Sequence, residues 1–107
     1  MSTESVIEHH LQALADGDLE QTMLDYADDC VFIGSGGVIL GKAGVREVFQ
    51  GALANGPFAV NLKAQYCHGS SGFITWDVPG VISLGTDTFV VENDLIVMQT
   101  NAVVMAG

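Results

Sequence analysis

The sequence predicts an α+β domain in which helices pack on one face of a curved antiparallel sheet. Three observations carry that reading. Apolar residues in the first half recur at helical spacing, those from Phe58 onward alternate with period two, and glycine- or proline-rich turns separate the segments. The 107 residues suffice for one domain, 1–107, with a real core and no room for a second.

The first helix is expected over Thr3 to Ala15, with Val6, Ile7, His10, Leu11 and Leu14 on one stripe. Gly17 ends it. Asp18 then caps a second helix, with Gln21 three residues on as capping-box partner, and that helix runs to the acidic pair Asp28 and Asp29. It carries Leu19, Met23, Leu24 and Ala27 inward, and Tyr26 as a helix-face aromatic. "CVFI" and "VIL" read as short strands joined by the turn "GSGG". A third helix follows Gly41, with Val45, Val48, Phe49, Ala52 and Leu53 inward, until "NGP" breaks the chain.

Beyond that break, "FAVNLKAQY" alternates Phe58, Val60, Leu62, Ala64 and Tyr66 against more polar neighbours, as a half-buried strand does. "FITWDV" is a strand ended by Pro79 and Gly80. "VISLGTDTFVV" and "LIVMQTNAVVM" are longer strands joined by a tight hairpin at "END". In the last strand both alternating sets, Ile96, Met98, Thr100 against Val97, Gln99, Asn101, are uncharged. One sheet face is therefore expected to cover the helices and the other to meet a second subunit, giving a homodimer.

Composition narrows the function classes. Thirteen acidic residues against three basic ones give a net charge of −10, which repels phosphate backbones and anionic lipid. Nucleic-acid and membrane-surface roles are excluded on that ground, and a small neutral or apolar ligand suits the chain better. No apolar run is long enough to span a bilayer, and the N-terminus lacks a basic-then-apolar leader, so a cytoplasmic protein is expected. Cys30 reads as a small buried hydrophobe. Cys67 and His68 have no second close pair, so no metal site is expected, and no cofactor motif is present.

Two side chains stand out as chemistry on apolar faces. His10 shares the stripe of Ile7, Leu11 and Leu14, whereas His9 points about 100° away. It is either a satisfied core histidine or a pocket group. Asp87, in "GTDTFVV", shares strand parity with Phe89 and Val91. It must be paired, hydrogen-bonded or protonated if buried, or else sit at a wetted strand end. Trp76, between Ile74 and Val78 by parity, is core or pocket lining.

"GDLE…YADDCVF…GKAGVREVF" and "GTDTFVVENDLIVMQT" resemble the SnoaL-like and ketosteroid-isomerase-like proteins of the nuclear transport factor 2-like superfamily. The resemblance implies a cone: three N-terminal helices in the concavity of a strongly curved antiparallel sheet, enclosing a pocket, in proteins that are often dimers through the sheet. Ketosteroid isomerase itself uses a tyrosine, a general-base aspartate and a protonated aspartate. Aligned on those motifs, His10 takes the tyrosine position, Gly34 the base position and Asp87 that of the protonated aspartate. Glycine cannot move a proton, so steroid isomerisation by that mechanism is not expected. The resemblance implies Phe32, Gly34, Phe49, Trp76 and Phe89 as ligand-binding residues. It implies His10 and Asp87 as the catalytic pair of a cofactor-independent isomerase, cyclase or dehydratase, if the protein is catalytic. The alternative is a non-catalytic ligand-binding or dimerisation module.

Overall fold

Ser2 opens the chain's first element with a reciprocal cap: its hydroxyl accepts from the Ser5 backbone N–H, and the Ser5 side chain bonds back to the Ser2 backbone. A computed structural model describes residues 2–107. Helix α1 spans Thr3–Ala15 and buries Val6, Ile7, His10 and Leu14 of the predicted stripe together with Ala13, while Leu11 is half-buried. Helix α2 spans Leu19–Leu24 and α3 spans Lys42–Ala52. Six strands complete the fold: β1 (Tyr26–Gly34), β2 (Gly37–Leu40), β3 (Asn61–His68), β4 (Ser71–Val78), β5 (Ile82–Glu92) and β6 (Leu95–Met105).

The strands form one curved, open sheet in the order β2-β1-β6-β5-β4-β3, and the helices cover its concave side. Every neighbouring pair is antiparallel except β1 and β6, which run parallel. That pair departs from the all-antiparallel expectation. It joins residues about seventy positions apart, so no local pattern announces it. Two rows across the sheet organise everything that follows. Phe32, Gln99, Phe89, Gly72 and Cys67 are successive partners on the concave face; Ile33, Thr100, Thr88, Phe73 and Tyr66 are successive partners on the convex face.

Three irregularities move residues between faces. Helix α2 ends at Leu24, four residues before the expected stop, because the Asp25 carbonyl is taken by the Ile96 N–H of β6 at 2.6 Å. Tyr26 and Ala27 are therefore buried strand residues rather than helix-face ones, and Asp28 and Asp29 lie exposed in β1 where its register with β6 shifts. In β3 the register shifts between Leu62 and Ala64, so the alternation expected from Phe58 to Tyr66 breaks. Leu62 still pairs with Trp76, but Tyr66 faces out and is 71% exposed. In β6 the shift at Val97 puts Gln99, not Met98, on the face of Ile96. Of the expected capping box at α2, only half forms: Asp18 accepts from the Gln21 N–H, while the Gln21 side chain turns to His9.

Packing closes the cone around α1. The Ile7 side chain sits over Gly72, where an added Cβ would lie 2.4 Å from Ile7 Cδ1, so helix and strand approach at a distance only glycine permits. Ile7, Ile74 and Phe89 are each at most 1% exposed, a burial worth about 1.5–3 kcal/mol per side chain. The β5–β6 hairpin turns on Asn93 and Asp94, at φ 52° and 65°, the two-residue turn with left-handed central residues that suits a twisted hairpin. No described helix is long and apolar enough to cross a membrane.

Candidate functional site

Between α1, α3 and the concave sheet lies a cavity of about 170 Å³. Its wall is mostly apolar: Leu11 and Leu14 from α1, Val48 and Phe49 from α3, Phe58 and Val60 from the segment before β3, and Phe32, Ile74 and Phe89 from the sheet. Ala52 and Val103 line it and are exposed, which places its mouth between the end of α3 and the end of β6. An apolar cavity of about 150 Å³ holds benzene, so this one suits a molecule of about one ring.

The polar groups of the wall are joined into one chain by Tyr26, which stands behind the lining. Asp87, 5% exposed, accepts three hydrogen bonds: from Trp76 Nε1 at 2.6 Å onto Oδ2, and from Gln99 Nε2 and Asn101 Nδ2, each at 3.0 Å, onto Oδ1. Strand register explains the convergence, since Asn101 is the direct β6 partner of Asp87 and Gln99 stands two residues away on the same face. Trp76 reaches across from β4 because its direct partner is Gly85, over which the indole lies flat. The Tyr26 hydroxyl donates to Gln99 Oε1, and His10 Nε2 lies 3.5 Å from the Tyr26 oxygen. The His10 ring is boxed edge-on by Tyr26, Phe49 and Phe89, with centroids 5.3–5.7 Å away. Its Nδ1 is buried and has no hydrogen-bond partner among the described residues.

Burial sets the protonation states. It lowers the His10 pKa to about 3, with the neighbouring His9 adding to the effect, so the ring is neutral. Burial likewise lifts the Tyr26 phenol well above its usual value, with the Asp87 charge reinforcing it, so the hydroxyl keeps its proton. Asp87 is raised by burial, and its bonds to Gln99, Trp76 and Asn101 partly offset that. Three N–H donors on one carboxyl group suit the ionised form.

A second polar cluster sits on the outside of α1. His9 Nδ1 donates to Asp25 Oδ2 at 2.6 Å, and Nε2 donates to Gln21 Oε1 at 3.1 Å. Both ring nitrogens face acceptors, and the bond to Asp25 raises the His9 pKa. Asp25 is itself raised, because its burial outweighs the pull of His9. Adjacent histidines are thus shifted in opposite directions, His9 upward and His10 downward.

His10, Asp87, Phe32, Phe49, Trp76 and Phe89 all line the one cavity. His10 and Asp87 do not bond each other; Tyr26 and Gln99 stand between them, so the anticipated pair is the two ends of a four-residue chain. Gly34 is not part of the wall. It lies at the end of β1, paired with Gly37, where an added Cβ would meet Phe32 Cε1 at 3.3 Å. Sequence reasoning missed Tyr26, Gln99 and Asn101. The available signal was the polar pair at i and i+2 in an apolar strand, opposite an aspartate of matching parity.

Solved structures share the architecture. An NTF-2 like protein of unknown function from Burkholderia xenovorans LB400 superposes with a TM-score of 0.82 at 19% identity, over 98% of this chain and 84% of that one. A Kribbella flavida DSM 17836 protein provisionally named a ketosteroid isomerase gives 0.77 at 15% identity, over 98% and 79%. An M. tuberculosis LEH-like epoxide hydrolase gives 0.77 at 16%, over 95% and 82%. At these identities the likeness is one of fold. Comparison with curated protein sequences finds no match. The family model of the SnoaL-like domain matches residues 7–99, nearly the whole helix-and-sheet cone just described, and the chain belongs to that family.

Proposed function

We propose that this protein binds a small, neutral, largely apolar molecule in the cone cavity, with His10 as the polar anchor. The observation that carries the reading is an apolar cavity with a buried, neutral histidine in its wall whose Nδ1 has no partner. Desolvating a polar nitrogen without compensation is costly, and a ligand would supply what the protein does not. The test is a titration of isotope-labelled protein with one-ring compounds. Shifts centred on His10, Leu14, Phe49, Ile74 and Phe89 are expected; an absence of perturbation there by every compound defeats the proposal.

A second reading is acid–base chemistry of the isomerase, cyclase or dehydratase type. The bonded chain linking His10 to Asp87 favours it. Against it, a histidine whose pKa lies at about 3 is a weak base at neutral pH. The family's base position also holds Gly34. Exchange of the α-protons of small ketones in D₂O, lost in His10→Leu, would support catalysis over simple binding.

The convex face is proposed to pair with a second copy. Its row of Ile33, Thr100, Thr88, Phe73 and Tyr66 carries no charge on a chain of net charge −10, and Tyr66 and Phe73 are 71% and 40% exposed.

A further inference from the structure

We infer that the cavity selects its ligand by a hydrogen-bond donor: a neutral alcohol or phenol of about one ring, whose hydroxyl donates to His10 Nδ1. This rests on the cavity being a ligand site and adds the polarity of the molecule it takes.

The direction of every bond in the wall follows from one end. The Trp76 indole nitrogen can only donate, so Asp87 Oδ2 is an acceptor. Oδ1 faces two amides, and an ionised carboxylate accepts from both, which turns the Gln99 nitrogen toward Asp87 and its oxygen toward Tyr26. The phenol has one proton, and it goes to that oxygen. Tyr26 then offers His10 only lone pairs, so the single ring proton of the neutral imidazole sits on Nε2. Nδ1 is left as a bare acceptor, buried and unpartnered. Asn101 repeats the pattern: with its nitrogen on Asp87, its Oδ1 is turned away and is also an acceptor. Asp87 thus draws the donors of the wall to itself and leaves acceptors for a ligand.

A carbonyl oxygen placed against Nδ1 would meet lone pair with lone pair. A hydroxyl would satisfy it. A protonated amine could also donate, but it would give up its hydration in an apolar wall where the Asp87 charge is already met by three N–H groups. The volume of about 170 Å³ sets the size at about one ring.

The experiment uses the intact protein and five probes of similar size: phenol, anisole, toluene, benzaldehyde and benzylamine, titrated by NMR with the His10 ring nitrogens followed directly. The free protein is expected to carry its His10 proton on Nε2. Phenol is expected to bind at least about tenfold more tightly than each of the other four, moving the Nδ1 resonance. Anisole or toluene binding as tightly as phenol removes the polarity rule and leaves the ligand site standing. So does tighter binding of benzaldehyde or benzylamine, or a free protein with the proton on Nδ1. If toluene and phenol alike fail to bind, the ligand-site reading falls as well. His10→Leu is expected to abolish the advantage of phenol while keeping toluene. Should that variant not fold, the tautomer and the wild-type ranking decide the matter.

Discussion

The Trp76 indole N–H donates to Asp87 Oδ2 at 2.6 Å across neighbouring strands, and it can do so only because the residue beneath the ring is Gly85. An added Cβ at Gly85 would sit 2.2 Å from Trp76 Cε2. Gly85→Ala should therefore lever the indole off Asp87 and cost about 1–3 kcal/mol through overpacking, with a further loss for the freed N–H. Urea unfolding followed by tryptophan fluorescence measures both, and an unchanged midpoint would show that the ring is free to move.

Replacing Asp87 tests the convergence point itself. Asp87→Asn keeps the shape but offers one acceptor oxygen where three donors meet, so a loss of about 1–3 kcal/mol is expected. The native pKa of Asp87 lies above its unfolded value, so the folded state holds the proton longer. Its contribution therefore weakens stability as pH rises from about 3.8 through the native pKa, and the variant should lose that part of the pH dependence. Unfolding curves between pH 4 and 7 for both proteins give the comparison.

His9 and His10 should titrate in opposite ways. His9 is raised by its bond to Asp25, so its stabilisation is complete below about pH 6.5 and is lost as pH rises through its native pKa. Asp25→Asn should bring the His9 midpoint back toward the ordinary value. His10, at about 3, should show no titration between pH 5 and 8. Ring proton shifts read both residues in one experiment, and a His10 midpoint near neutrality would mean that water or a charge reaches it.

Phe73 lies in the middle of the uncharged convex row, between Thr88 and Tyr66. Phe73→Glu should convert a dimer to a monomer in sedimentation at micromolar concentration, with little change in the cavity on the other face. A wild-type protein that is already monomeric there would end the dimer proposal.

The elements were legible in the chain alone. Helical spacing, the cap at Asp18, and the breaks at Gly17 and Pro57 are local, and α1 and the β5–β6 hairpin stand where they were expected. Strand parity also placed Asp87 inside, and helix periodicity placed His10. Which partners those two residues have follows from how the strands pair. The parallel β1–β6 pair joins segments about seventy residues apart, the bulge at Val97 hands Gln99 to the concave face, and the Ile96 bond to the Asp25 carbonyl ends α2 early enough to make Tyr26 a buried strand residue. Each of these depends on strand register, and a one-residue slip reverses a side chain's face without altering the pattern that a single segment shows. His10 and Asp87 were thus legible as inward polar groups. The Tyr26–Gln99 link between them, and with it the direction of every hydrogen bond in the wall, exists only once the strands have paired.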